Sequence, residues 1–111
     1  MPSPQLSNYL RSNRKRLDLS QGEVAFLLGQ ESSAQVSRYE HSEHIPSLET
    51  ALAYEVIFKR PLSEIFGGLY QKAEREVADR AKTLGSRADQ GVAKRRVAKR
   101  AMLAGIADIN E

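Results

Sequence analysis

Few residues in this chain have the types and spacing that chemistry requires. The run His41-Ser42-Glu43-His44 places two imidazoles and a carboxylate within four residues, donor types that can hold a divalent metal. The chain has no cysteine to complete such a site, and the run falls in a connecting segment. It reads as a polar loop, and no metal or other cofactor is assigned. The same lack of cysteine removes thiol nucleophiles, disulfide frameworks and zinc–cysteine sites. No Ser/His/Asp arrangement, glycine-rich phosphate loop or carboxylate pair at useful spacing is present, so no enzymatic function is expected. The densest charge, Lys94-Arg95-Arg96-Val97-Ala98-Lys99-Arg100, lacks aromatic residues on which bases could stack. It suits added phosphate contacts, an acidic protein partner, or simple solvation.

With 111 residues the chain can hold one compact domain and an appendage, which leaves little room for a large buried cleft. The net charge of +3 is unevenly spread. Residues 1–69 carry seven basic and eight acidic side chains, residues 70–100 carry ten and four, and residues 101–111 carry two acidic ones. Positive charge is therefore concentrated in the C-terminal third, where it could follow a phosphate backbone or an anionic surface. Charge alone fits a solvated helical face equally well. Met1-Pro2-Ser3-Pro4-Gln5 has no basic stretch followed by an apolar one, and no apolar run approaches the ~20 residues that span a bilayer. The expectation is a cytoplasmic chain without a membrane partner.

The elements that must position any site are helices. Ser3 can cap a first helix with Pro4 at its first position, and Leu6, Leu10 and Leu17 recur at helical spacing until about Leu17-Asp18. Ser20-Gln21-Gly22-Glu23 is a capping box that opens a second helix from about Gln21 to Leu28, with Val24, Ala25 and Leu28 inward. Gly29 stops it in the left-handed conformation. Ser32-Ser33-Ala34-Gln35 repeats the capping-box pattern, so a third helix begins at Ser33 and continues to Glu40 or His41, with Val36 and Tyr39 inward. Ser47 caps a fourth helix to about Lys59, Pro61 disfavours helix at Arg60, and a short fifth helix covers Leu62 to Phe66 before Gly67-Gly68. From Leu69 onward the composition is helical but the apolar stripe is thin: Ala73, Val77, Ala81, Leu84, Ala88 and Val92, with Gly85-Ser86 and Gly91 as candidate breaks. Such a helix frays unless something partners it.

Two short helices joined by a glycine turn can present the second far enough to enter a groove ~12 Å wide. Capping and periodicity by themselves fit an ordinary helical hairpin equally well. The ordered set Leu19-Ser20-Gln21-Gly22-Glu23-Val24-Ala25, Leu28-Gly29, Val36-Ser37-Arg38-Tyr39-Glu40, Pro46-Ser47-Leu48 and Leu62-Ser63-Glu64-Ile65-Phe66 resembles the Cro and phage-repressor type of helix-turn-helix family, over roughly Leu6 to Phe66. The resemblance implies a five-helix repressor-like DNA-binding domain, set at 1–68; with the helical composition that follows, the expected fold is all-α, with a basic C-terminal helical extension at 69–111 that serves dimerisation or auxiliary contact or is partly disordered.

By the same resemblance Gln21 opens the second helix, where exposed N–H groups and the positive dipole end favour a phosphate, and braces the third. Ser33, Ala34, Ser37 and Arg38 match positions that face base edges. Arg38 leads them, because a guanidinium can pair bidentately with guanine for ~1–3 kcal/mol of discrimination. Gln35 is divided between capping Ser32 and reaching DNA, and His41 is placed against the DNA backbone. Arg14 and Glu40 match an ion pair that ties the first helix to the end of the third.

The chain departs from the family pattern at three places. One extra residue lies between Gly29 and Val36, Glu55 stands where a small apolar residue is usual, and Phe26 and Leu27 fill commonly polar positions. The fourth helix is apolar nearly all round, through Leu48, Leu52, Tyr54, Val56, Ile57 and Phe58, which implies a dimer contact or a covering C-terminal helix. The functional expectation is a bacterial or phage transcriptional repressor that reads double-stranded DNA with residues 33–40 as a homodimer. An antitoxin that regulates its own operon, or an adaptor that binds protein and no DNA, are the alternatives.

Overall fold

The computed structural model describes residues 8–88 and 95–108, with side chains at 87, 88 and 95–98 left aside. Its helices are α1 (Leu10–Arg16), α2 (Gln21–Leu28), α3 (Ser33–Glu40), α4 (Leu48–Phe58), α5 (Leu62–Ile65), α6 (Gly67–Ala88) and α7 (Arg95–Asp108). The all-helical plan, a five-helix N-terminal domain followed by a helical extension, is the one the residue pattern led us to expect. The chain divides into two units, Met1–Tyr70 and Gln71–Glu111.

In the first unit α1 to α5 close around Leu10, Val24, Ala25, Val36, Tyr39, Tyr54, Phe58, Ile65 and Phe66. Each large side chain fully removed from water contributes ~1.5–3 kcal/mol, so this cluster holds the short helices that isolated sequence would not. Tyr54 is its hub, with ring centroids 5.5 Å from Phe58, 6.3 Å from Tyr39 and 6.4 Å from Phe66. The pairs with Tyr39 and Phe66 are edge-on, the arrangement the ring quadrupole favours.

The start of the chain differs from expectation. Ser3, Pro4 and Leu6 lie outside the described residues, but a helix running on from them would include Asn8 and Tyr9, and neither is helical. Both have other commitments. Tyr9 N–H donates to the Ile65 carbonyl at 2.8 Å, and Asn8 Nδ2 donates to the Tyr39 carbonyl at 2.9 Å while its Oδ1 accepts the Leu10 N–H at 3.1 Å. Asn8 thus caps α1 and stitches it to the end of α3. Leu17, expected on the apolar stripe, is exposed beyond the last turn.

Glu55 has a local reason to replace a small apolar residue: its Oε1 accepts the Leu62 N–H at 3.0 Å and so caps α5, whose preceding Pro61 has no side chain to do so. Lys59 ends α4 in the left-handed region (φ 56°), a place where a Cβ is unfavourable. Gly67 opens α6 where a Cβ would come within 3.2 Å of the Tyr9 ring, so any larger residue there would have to push that half-exposed ring aside by a few tenths of an ångström.

In the second unit Ala81 of α6 and Leu103 and Ala107 of α7 are buried together, with Ile106 against them. The expected stripe holds only in part. Ala81 is buried as expected, but Val77 and Leu84 of the stripe are exposed, and Ala78, outside it, is buried. The small side chain of Ala81 lets α7 approach closely where Leu103 and Ala107 pack on it. Gly85-Ser86 does not break α6, which continues to Ala88; Gly91 and Val92 lie outside the described residues. No helix among the described residues is long and apolar enough to cross a membrane.

Candidate nucleic-acid interface

Ser20 and Glu23 form both halves of the box that starts α2: Ser20 Oγ accepts the Glu23 N–H at 3.0 Å, and Glu23 Oε1 accepts the Ser20 N–H at 2.9 Å. Those bonds favour the carboxylate and hold the Glu23 pKa below its ordinary value. Gly29 terminates α2 at φ 75°, and the N–H of Gln30 returns to the Ala25 carbonyl at 2.9 Å. The lengthened turn is Gln30-Glu31-Ser32, of which Gln30 is drawn inward to donate to the Tyr39 hydroxyl at 3.1 Å.

The second box closes by half. Ser32 Oγ accepts the Ala34 N–H at 3.1 Å, but Gln35 does not return to the cap. Its amide is engaged elsewhere: Arg38 Nη1 donates to Gln35 Oε1 at 3.2 Å, and Gln35 Nε2 lies 3.3 Å from His44 Nδ1.

The helical period then sorts α3 into two faces. Val36 and Tyr39 are buried, and the Glu40 side chain is 2% exposed. Ala34, Ser37 and Arg38, with His41 just past the last turn, share the opposite side; Ser37 is half-buried and the others are exposed, while Ser33, in register with Val36 and Glu40, is exposed because it opens the helix. Gln35 stands at the edge between them. His41 Nδ1 lies 2.8 Å from the Ser37 carbonyl, which accepts only, so Nδ1 carries the proton. His41 and His44 are tied to different residues of α3, Ser37 and Gln35, and no group of three or more metal-ligating side chains occurs among the described residues.

What fixes α3 in place is Glu40. Arg14 Nε donates to its Oε2 at 2.6 Å and Arg14 Nη2 to its Oε1 at 3.2 Å, a bidentate pair, while Gln21 Nε2 donates to Oε1 at 3.1 Å. Arg14 Nη1 continues to the Leu19 carbonyl at 3.0 Å, so one guanidinium joins α1, the loop before α2 and the end of α3. The hydrogen bond to Glu40 raises the Arg14 pKa further above its ordinary value, against the opposing pull of burial. Gln21 therefore braces α3 from the first position of α2, the point where a helix N-terminus faces outward.

Several residues of this frame had no sequence signal that we read. Asn8 holds the carbonyl end of α3, Arg16 Nη2 donates to the Phe58 carbonyl at 3.0 Å, and His44 meets Gln35. Asn8 lies one residue before the N-cap Tyr9, within the helix that the Ser3-Pro4 start led us to expect, so nothing local marked it. The other two join residues distant in sequence or in a loop, where no periodicity applies.

Of the basic C-terminal run, Lys94 and the side chains through position 98 lie outside the described residues, and Lys99 and Arg100 are exposed. A helix-turn-helix family model matches residues 10–65, half of the chain and the span from the start of α1 to the end of α5. No curated protein and no solved structure matches the chain.

Proposed function

The chain belongs to the Cro/C1-type helix-turn-helix family and is a DNA-binding transcription regulator, and on that premise we propose a sequence-specific repressor that inserts α3 into the major groove. One observation carries the proposal. α3 is anchored through Val36, Tyr39 and the Arg14–Glu40–Gln21 network, and this leaves Ala34, Ser37, Arg38 and His41 together on its outer face, with Ser33 exposed at its first position. Arg38 is assigned the main base contact, to the O6 and N7 of a guanine. Gln21 and the N–H groups at the start of α2 are assigned a phosphate, and His41 the neighbouring backbone.

The regulator acts as a cytoplasmic homodimer on a pseudo-palindromic operator, with two α3 helices ~34 Å apart, one turn of DNA. Leu48, Leu52 and Val56 support the dimer: they repeat every four residues along α4 and are 70%, 46% and 75% exposed. Residues 1–68 are assigned to DNA binding, and 69–111 to dimerisation or added phosphate contact. Selection of bound sequences from a random duplex pool tests all of this together. Enrichment of two half-sites about one turn apart is expected, and recovery of unselected sequence would contradict it.

The adaptor reading keeps one observation in its favour, the net −1 of residues 1–69. A DNA-binding protein must lose affinity steeply as salt rises, whereas an adaptor has no duplex affinity to lose. An antitoxin would read DNA in the same way and differ in the partner of its C-terminal arm.

A further inference from the structure

The exposed end of α3 carries a series of side-chain contacts that neither the core nor the proposed groove contacts require. Arg38 Nη1 donates to Gln35 Oε1 at 3.2 Å, and Gln35 Nε2 lies 3.3 Å from His44 Nδ1. A guanidinium has donors only, so the amide oxygen must face Arg38. The amide NH₂ then faces His44, and Nδ1 must accept, which leaves the imidazole proton on Nε2. Each group dictates the orientation of the next. The loop that carries His44 is itself fixed, because the N–H groups of Glu43 and His44 both donate to the Arg38 carbonyl, at 2.9 and 3.3 Å. His41 takes no part, since its ring is bound one turn back to Ser37.

We propose that His44 is a specificity-determining positioning residue, which acts through Gln35 to set the direction in which the Arg38 guanidinium leaves α3 and thereby the base pair it prefers. This role rests on α3 being the groove helix. An exposed arginine samples many rotamers, and bidentate pairing with a base needs its planar fork held in one plane. A Gln35 amide held at one end alone can turn over and point its NH₂ at the guanidinium. Held by His44 as well, it keeps the oxygen toward Arg38.

The test uses the full chain and a set of duplexes carrying every single-base change of its selected site. Four variants are compared with the parent: Arg38→Ala, His44→Ala, the double variant, and His44→Asn, whose Oδ1 stands where Nδ1 stood. Arg38→Ala is expected to lose about tenfold or more of the preference at one base pair of each half-site. His44→Ala should lose about three- to tenfold at that same pair and little elsewhere, His44→Asn should restore most of it, and the double variant should match Arg38→Ala. Equal discrimination at that pair in the parent and His44→Ala overturns the relay. So does a uniform weakening on all duplexes, the mark of a backbone contact. A parent chain with no base preference fails differently: it overturns the reading of α3 and the relay with it.

Discussion

Removing the Arg14 guanidinium leaves the Glu40 carboxylate, 2% exposed, with only the Gln21 amide to offset its burial. An unpaired buried charge costs about 3–5 kcal/mol, so Arg14→Ala should lower the melting temperature sharply. Arg38→Ala should leave it within about 0.5 kcal/mol, because Arg38 is exposed and its guanidinium makes an exposed hydrogen bond to Gln35. Paired thermal melts of the two variants check this contrast, and equal losses would contradict it. Tyr54 offers a pH-dependent case. Its hydroxyl is buried with no hydrogen-bond partner among the described residues. Burial, with the nearby Glu40 and Tyr39 charges, raises its pKa well above the ordinary value. A raised folded pKa means the contribution to stability is complete below about pH 10 and is lost as pH rises through the folded value. Tyr54→Phe should therefore be neutral or stabilising by about 1 kcal/mol near neutrality, and it should flatten the alkaline limb of melting temperature against pH. A parallel alkaline limb in both proteins would show that another group titrates.

Lys59 closes α4 at φ 56°, where Cβ crowds the following carbonyl, and Lys59→Gly should stabilise the domain by about 0.5–1 kcal/mol in denaturant unfolding. A lower midpoint would mean that the lysine side chain contributes more than the backbone loses. Helices α2 to α5 were legible because each starts or stops on a residue with a local mechanism: Ser20 and Glu23, Gly29, Ser32, Ser47, Pro61. The outer face of α3 was legible to the same depth, since a helix with Val36 and Tyr39 inward must turn Ser37 and Arg38 outward. Where tertiary partners compete with local preference, the residues alone were misleading. Tyr9 joins Ile65 rather than extending a helix from Pro4, Gln35 turns to Arg38 and His44 instead of Ser32, and α6 buries Ala78 beside the expected Ala81 while Val77 and Leu84 stay exposed.

At the scale of the whole molecule, the reading face and the positive charge lie in different parts of the chain. Residues 1–69 sum to −1, and Arg38 is the only cation on α3, so the helix that would discriminate bases contributes little to long-range attraction. The basic C-terminal segment can supply what is lacking. Replacing Lys94, Arg95, Arg96 and Lys99 by glutamine in the full chain should make the plot of log affinity against log salt shallower by ~0.9 for each phosphate contact removed. An unchanged slope would place that segment away from DNA. The claim at the centre remains that α3 lies in the major groove with Arg38 on a guanine. Guanine N7 opens only onto that groove, so methylation protection on the selected duplex addresses it directly. The account predicts protected N7 positions in two half-sites about one helical turn apart, with one guanine in each deprotected by Arg38→Ala. Binding that leaves every N7 open to methylation would contradict it.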